Sequence, residues 1–237
     1  MMKKSLDKAF ALSYAKIETL LFTILLPMEQ IIQEIEYGIM VGEFRPKQRL
    51  VEAELMHRFS AGRGIIRDSL KILADRGLVC RNENKGVTVR DLLAKDIRDI
   101  YFLRSQLEGI AAELAFDSIR DQEVQRLSNL QKGLREYDRV DRKLVKMHEA
   151  LHETIFKASG NKFLVEQINR LIAITGSVRY FSYTHEDQRV RSLDDHDKMI
   201  QSLKSRRKDE FVTLCRNHVI PGMEAYIKLF YPHESTG

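Results

Sequence analysis

The distribution of proline constrains the fold of this chain more than any other feature. The 237-residue sequence contains four prolines, and none lies between Pro46 and Pro221. Beyond Asp91 apolar residues recur at helical spacing, and twelve glycines in the whole chain leave few turn residues for an all-β fold. The sequence therefore predicts a mainly α-helical protein. The part after Asp91 is predicted to be an antiparallel all-α bundle of about six helices, over 96–117, 121–139, 142–158, 161–184, 188–206 and 208–230.

The residues before Asp91 follow a different order of elements. Apolar spacing predicts three helices, with Gly77 ending the third, and two β-type runs follow around a polar loop that can close a hairpin. These elements occupy 28–41, 51–59, 63–76, 78–81 and 87–90. Their order is typical of a winged helix-turn-helix. An ordinary α+β fragment with a solvated basic face is the alternative.

Positive charge is concentrated in this same region. Residues 44–90 carry eleven lysines and arginines against five acidic residues, a net charge of +6, whereas the other residues sum to −1. A basic unit joined to a nearly neutral remainder is typical of a polyanion-binding part attached to a part with another role. The basic residues concentrate on the third helix and the hairpin, the elements of a winged helix that meet duplex DNA. We therefore interpret the region as a DNA-binding unit.

Cysteine usage and the N-terminal residues indicate a compartment. Cys80 and Cys215 are far apart without a CxxC pair, so they predict neither a disulfide framework nor a thiolate zinc site, and they fit a reducing bacterial cytoplasm. The apolar run over 20–28 is about nine residues long, too short for a membrane span of about 20. We predict that residues 1–28 form a helical extension that packs against the protein, with no membrane association.

Four of the seven histidines occupy positions at which the helical pattern calls for an apolar residue. They are His148, His152, His196 and His218, from three predicted bundle helices. The first two are one turn apart, about 40° around the helix, so both rings can reach one point. A buried imidazole needs a hydrogen-bond partner for each nitrogen or a metal ion. A single core histidine usually finds such partners, but four that converge favour a divalent metal, zinc first, with nickel, cobalt or iron(II) as alternatives.

Short motifs occur in a fixed order along residues 30–225. They are Gly42–Pro46, Arg49–Leu55, Arg63–Leu70, Leu73–Val79, Gly86–Val89, Leu103–Glu108, Leu151–His152, Ala158–Asn161, Asp195–His196 and Asn217–His218. As an ordered set they resemble the GntR family of transcriptional regulators, in the branch that carries an FCD effector domain. The resemblance implies a winged helix-turn-helix domain over 29–92 and a helical effector and dimerisation domain over 96–232.

The resemblance also implies which residues contact double-stranded DNA. Arg63 opens the recognition helix and Arg67 follows one turn later, where arginines of the family contact base edges or phosphates, while Arg49 and the wing tip hold the backbone. The guanidinium group of an arginine can donate two parallel hydrogen bonds to guanine, whereas a lysine or a backbone N–H typically donates to phosphate. For Arg67 an ion pair with an acid such as Asp68 or Asp75 is the alternative. The residues assigned to DNA are Arg45, Arg49, Arg63, Arg67, Lys71, Lys85 and Gly86.

Effector domains of this branch commonly hold a divalent metal through an aspartate, a histidine four residues later and two further histidines. Three of these positions are His152, His196 and His218, and His148 stands at the aspartate position. The implied site is therefore all nitrogen, which favours borderline metals over Mg²⁺, Ca²⁺ or Mn²⁺.

An open position on the metal would leave room for a small carboxylate effector, and we assign Arg104 and Asn161 to its cavity on the same resemblance. An ion pair between Arg104 and Glu108 is the alternative for that arginine. We predict a homodimeric, ligand-responsive regulator that represses transcription from a DNA operator and has no catalytic residues. A helical-bundle metalloenzyme and a regulator that senses the metal itself are the alternatives.

Several residues depart from the family pattern. Gly62 replaces the Ser or Thr that caps the recognition helix, Ile65 replaces a small residue or proline, and Lys47 replaces the glycine after Pro46. Pro221 is expected to kink the last helix close to His218.

Overall fold

The structure is a computed structural model that describes residues 28–82 and 86–234. The predicted N-terminal extension, apart from Met28, and the predicted DNA-contacting residue Lys85 lie outside the described residues.

The chain divides into two compact units. The first comprises the described residues up to Gly38 together with Phe44–Arg90, and the second comprises Ile39–Glu43 and the chain from Asp91 onward.

Of the N-terminal part, the described residues form three helices and three short strands. They are α1 (28–40), β1 (Arg49–Leu50), α2 (Glu52–Phe59), α3 (Arg63–Asp75), β2 (Val79–Asn82) and β3 (Gly86–Val89). β3 lies between the other two strands and is antiparallel to both. The predicted helices and hairpin are confirmed. β1 was not predicted, because a strand of two residues is too short to show a period.

The core of the first unit fixes which face of α3 is exposed. Ile66, Leu70 and Leu73 share one face of α3 and are fully buried, so the opposite face is left to solvent. Arg76, at the end of α3, pairs with Glu36 of α1 at 2.6 Å between Nη1 and Oε1. The other buried apolar residues of this core include Ile31, Ile32, Ile35, Leu55, Val79 and Val89.

The turn before β1 holds a lysine in the left-handed conformation. Lys47 has φ of 65°, which costs an L-residue roughly 1–2 kcal/mol. Its backbone N–H donates to the Val89 carbonyl at 3.1 Å, so the turn is tied to β3. The position therefore favours glycine, which is the residue that the family pattern has after Pro46.

The second unit is the predicted helical bundle, with more helices than expected. Within the described residues it contains eight helices instead of about six. They are α4 (Ala94–Phe116), α5 (Asp121–Glu136), α6 (Arg142–Ala158), α7 (Lys162–Ile174), α8 (Gly176–Thr184), α9 (Glu186–Lys204), α10 (Lys208–Asn217) and α11 (Ile220–Phe230). The count differs because the predicted helices over 161–184 and 208–230 are each divided.

The first division lies at Thr175, between α7 and α8. The Thr175 hydroxyl donates to the Leu171 carbonyl at 2.8 Å, a local bond that competes with regular helix geometry. Gly176, which lowers helix propensity, follows directly. Apolar spacing continues through this segment, so periodicity alone predicted one helix.

The second division lies at His218 and Val219, between α10 and α11. Pro221 stands in the first turn of α11, where its missing N–H is tolerated. In a continuous helix that N–H would have been needed to bond the carbonyl of Asn217. The predicted kink is therefore a complete helix end, and it places His218 at the C-cap of α10.

Helix α4 is central to the second unit, where it packs against α6, α7, α10 and α11. Within the described residues, no helix combines the length and apolar character needed to cross a membrane.

Candidate functional site

The exposed face of α3 carries a line of positive side chains. Arg63, Arg67 and Lys71 follow one another at four-residue spacing and are all exposed. Gly62 precedes them as an extended N-cap with no side-chain hydrogen bond to the helix. Backbone N–H groups at the start of a helix attract anions. The beginning of α3 therefore combines N–H groups and cationic side chains on a surface suited to phosphate.

Arg67 also forms an ion pair across the helix-turn-helix. Its Nε donates to both carboxylate oxygens of Glu52 on α2, at 2.9 and 3.0 Å. The acid is therefore Glu52 rather than Asp68 or Asp75. With 57% of its side chain exposed, Arg67 keeps donors available on the surface of α3.

Two of the other residues assigned to DNA lie together at the sheet. Gly86 has φ of +74°, and a Cβ added there would lie 3.5 Å from Nε of Arg49. The Arg49 guanidinium therefore lies beside the start of β3, and the positive φ, not crowding by Arg49, is what favours glycine at this position. Arg45 is exposed, and its backbone N–H donates to Oε1 of Gln48 at 2.8 Å.

Histidines from three elements meet inside the second unit. His152 belongs to α6, His196 to α9 and His218 to the end of α10. The Nε2 atoms of His152 and His196 are 3.2 Å apart, and the rings of His152 and His218 stack with centroids 4.9 Å apart. One potential ligand atom from each of the three lies within 4.8 Å of the others. We call these three residues the histidine cluster.

His148 lies beside the histidine cluster. Its ring centroid is 5.6 Å from that of His196, and its ring stacks on Tyr183 at 4.5 Å. Its Nε2 is buried without a hydrogen-bond partner among the described residues. Burial, and to a lesser extent the nearby charge of Arg179, lowers the pKa of His148 to about 3. A neutral, buried and unpartnered nitrogen is costly, and a bound ligand would relieve that cost.

The histidine cluster is neutral at pH 7. Burial lowers the pKa of His152 and of His196 well below the ordinary value, and it also lowers the pKa of His218. Nδ1–H of His218 donates to the Cys215 carbonyl at 2.9 Å, which leaves Nε2 with a lone pair. Neutral imidazole with a free lone pair is the form that binds metals.

The histidine cluster fits a divalent metal ion. Nitrogen ligands of one tetrahedral zinc lie roughly 3.3 Å apart, close to the 3.2 Å between His152 and His196. Nδ1 of His196 is also buried without a partner among the described residues. His152, His196 and His218 could hold the metal, and His148 is the candidate for a fourth nitrogen.

Arg104 forms the ion pair that was the alternative to effector binding. Its Nη2 lies 2.9 Å from Oε1 of Glu108, and the two side chains are 4% and 1% exposed. Nη1 donates to the Thr175 hydroxyl at 3.3 Å, and the guanidinium lies over the Tyr101 ring. The charges of Glu108 and Arg104 act in opposite directions on the pKa of His218, so the ion pair lies close to the histidine cluster.

Asn161, the other residue assigned to the effector, has a structural role. Its side-chain oxygen accepts from the Leu164 N–H at 3.1 Å and caps α7, and the residue is exposed. Its contact with an effector stays a prediction.

Two family models match this chain. Residues 27–89 match the bacterial regulatory proteins of the gntR family, and residues 99–220 match the FCD domain. The chain belongs to the GntR family. It is a transcriptional regulator with a helix-turn-helix domain and an FCD domain, and not an enzyme.

GntR-family relatives align over most of the chain. The HTH-type regulator YdhC of Bacillus subtilis is 28% identical, over 81% of this chain and 85% of its own. The gluconate operon transcriptional repressor of Bacillus licheniformis is also 28% identical, over 74% and 75%. The structure of McbR/YncC from E. coli is 19% identical, with a TM-score of 0.71 over 87% of this chain and 98% of that one. This likeness confirms the fold.

Sequence reasoning missed three residues around the histidine cluster of this GntR-family regulator. Thr175 bonds Arg104, Tyr183 stacks on His148, and Arg179 pairs with Glu149 at 3.2 Å. Thr175, Arg179 and Tyr183 recur at four-residue spacing, which is the one signal in the sequence that could have grouped them.

Proposed function

We propose that this GntR-family chain is a homodimeric repressor whose FCD domain binds a divalent metal, zinc in preference, together with a small carboxylate effector. The observation that carries the proposal is the convergence of His152, His196 and His218, with potential ligand atoms within 4.8 Å of one another. Neutral imidazoles select borderline metals such as zinc, nickel, cobalt or iron(II).

In the proposed DNA complex, the exposed face of α3 lies in the major groove. The guanidinium groups of Arg63 and Arg67 donate hydrogen bonds to base edges or phosphates, and Lys71 contacts the DNA backbone. Before binding, the ion pair with Glu52 restrains the Arg67 side chain at the surface of α3. Phosphate contacts are also assigned to Arg45, Arg49, Lys85 and Gly86.

Charge supports an anionic effector at the histidine cluster. A divalent metal held only by neutral imidazoles would keep its full positive charge in a site of one buried and two half-buried histidines, where an uncompensated charge is unfavourable. The opposite charges of Arg104 and Glu108 cancel each other within their ion pair, so this pair does not compensate the charge of the metal. A carboxylate effector would supply the missing negative charge. Arg104 would contact it by donating to the effector one of the hydrogen bonds that it now donates to Glu108. Asn161 is kept as a candidate contact.

An exposed apolar face on α4 supports the homodimer. Phe102 is 64% exposed, and Leu103, Ile110 and Leu114 are 44–50% exposed on the same side of the helix. Monomers rarely expose contiguous apolar patches of this kind. We propose that a second copy of the chain covers this face, which would allow two DNA-binding units to occupy two half-sites of an operator.

The relative from Bacillus licheniformis is named as a repressor of the gluconate operon, which supports repression as the mode of action here. The few, widely spaced cysteines support action in a reducing cytoplasm.

A binding titration tests the proposal. Duplexes selected from a random pool by the purified protein are titrated by fluorescence anisotropy after chelator treatment, after zinc addition, and after zinc plus citrate or gluconate. We expect the carboxylate to change DNA affinity only when zinc is present. If zinc alone produced the whole change in DNA affinity, the metal itself would be the signal. Absence of DNA binding in every state would contradict the proposal.

A further inference from the structure

Helix α11 runs from the histidine cluster to the residues that follow Asp91, where the main part of the second unit begins. We call this unit the FCD unit and the first one the DNA-binding unit. It begins at Ile220, two residues after His218, and ends at Phe230. Its 11 residues make a rod roughly 16 Å long. The next residue, Tyr231, donates its hydroxyl to the Leu92 carbonyl at 2.7 Å. Leu92 lies two residues after Arg90, the last residue of the unit that contains the helix-turn-helix.

A continuous apolar cluster supports this rod along its length. Residues of α11 pack with residues of α4 and α8, and Leu92 and Val219 both lie against the same cluster. One end of the cluster therefore adjoins His218 and the other adjoins the chain that leads to the DNA-binding unit. The buried members are Ala94, Ile97, Tyr101, Val178, Met223 and Ile227.

Helix α11 packs closely against α8. A Cβ added at Gly222 would lie 2.4 Å from the Ser182 hydroxyl oxygen, so a larger residue at this position would require the Ser182 side chain to shift. Pro221, beside it, fixes the backbone at the start of α11. Packed interfaces of this kind pass on small displacements instead of absorbing them.

We propose that α11 transmits the state of the histidine cluster to Leu92 through the hydroxyl of Tyr231. Metal binding through Nε2 of His218 fixes the end of α10, since Nδ1 of the same ring is held by the Cys215 carbonyl. The start of α11 is then fixed as well, because only Val219 separates His218 from Ile220. At the other end, the bond from Tyr231 holds the Leu92 carbonyl in one position. The inference rests on the proposed metal function and specifies how the metal site is coupled to the chain segment that follows the DNA-binding unit.

The test compares two tyrosine variants in the full-length protein. Tyr231→Phe removes only the hydroxyl that reaches Leu92. Tyr226→Phe, in the second half of α11, removes a hydroxyl that bonds Ser177 instead. Hydrogen exchange of the backbone over 91–97 is measured with and without Zn²⁺, zinc binding is measured by calorimetry, and affinity for a selected duplex is measured by anisotropy.

We expect zinc to slow exchange over 91–97 in the wild type and in Tyr226→Phe, but not in Tyr231→Phe. The effect of zinc on DNA affinity should shrink by about two- to tenfold in Tyr231→Phe, the range for one hydrogen bond, while zinc affinity stays unchanged. Wild-type exchange and wild-type zinc response in Tyr231→Phe would overturn the proposal. Absence of zinc binding by the wild type would overturn both this proposal and the metal function, and calorimetry distinguishes that case.

Discussion

The Nε2 atoms of His152 and His196 face each other at 3.2 Å in the interior of the FCD unit. At this separation one nitrogen carries a hydrogen and the other a lone pair, or both bind the same ion. A metal would replace one weak bond between neutral rings with two coordination bonds.

Zinc is expected to stabilise the wild-type protein and not the His196→Ala variant. Free zinc at about 100 times its dissociation constant stabilises the folded state by about 2.7 kcal/mol. Chelator should therefore lower the melting temperature of the wild type by several degrees, measured by calorimetry. His57→Ala, which removes an exposed histidine of α2, is the control and should respond as the wild type does. A wild-type melting temperature that ignores both chelator and zinc would contradict the metal site.

His148→Asp is expected to shift metal preference toward manganese. An aspartate at this position offers oxygen, which Mn²⁺ prefers to imidazole. We expect the ratio of Mn²⁺ to Zn²⁺ affinity, measured by competition with a chelating dye, to rise by about tenfold or more, equivalent to 1.4 kcal/mol. His148→Ala serves as the control, because it removes the nitrogen without adding oxygen. An unchanged ratio in His148→Asp would place His148 outside the coordination sphere.

Arg63→Ala is expected to weaken DNA binding without affecting the fold. Loss of a forked contact to guanine costs about 1–3 kcal/mol, and the slope of affinity against salt should fall if the contact is to phosphate. Anisotropy titration at several salt concentrations measures both effects. Arg126→Ala removes the same charge from an exposed position on α5 and should bind DNA as the wild type does. Wild-type affinity in a folded Arg63→Ala protein would rule out this residue as a DNA contact.

Lys47→Gly is expected to stabilise the DNA-binding unit. Glycine accepts the positive φ of this position without strain. Part of the relieved strain is offset because glycine makes the unfolded chain more flexible. We therefore expect a net gain of roughly 0.5–1 kcal/mol in the free energy of unfolding. Urea unfolding measures the change. Lys47→Ala removes the same side chain but keeps the strain, and should show no such gain. Equal stabilities of the two variants would contradict this explanation.

Phe102→Asp is expected to dissociate the homodimer. A carboxylate at the most exposed apolar position of the α4 face could not be buried against a second copy without a large desolvation cost. Light scattering coupled to size exclusion should report the monomer mass. Val190→Asp, at an exposed valine of α9, is the control and should remain dimeric. A dimer in Phe102→Asp would move the interface elsewhere.

Periodicity in the sequence located most of the helices, although it merged α7 with α8 and α10 with α11. It also placed His148, His152, His196 and His218 on interior stripes, because burial of one helix face is a repeating constraint. The partners of single side chains were harder. Glu52 is 15 residues from Arg67 in sequence, and nothing in a linear pattern relates the two before α2 and α3 pack together. The end of α7 at Thr175 involves a local hydroxyl bond and the glycine that follows it, and the surrounding apolar pattern conceals both.

The carbonyl of Cys215 orients His218, and its thiol has a further consequence. Burial raises the pKa of this thiol well above the ordinary value, so it stays protonated and is a poor nucleophile toward peroxides. Cys215, three residues from His218, is therefore a poor target for oxidants. For the proposed metal site, this means that Cys215 is not expected to act as an oxidation switch beside the histidines.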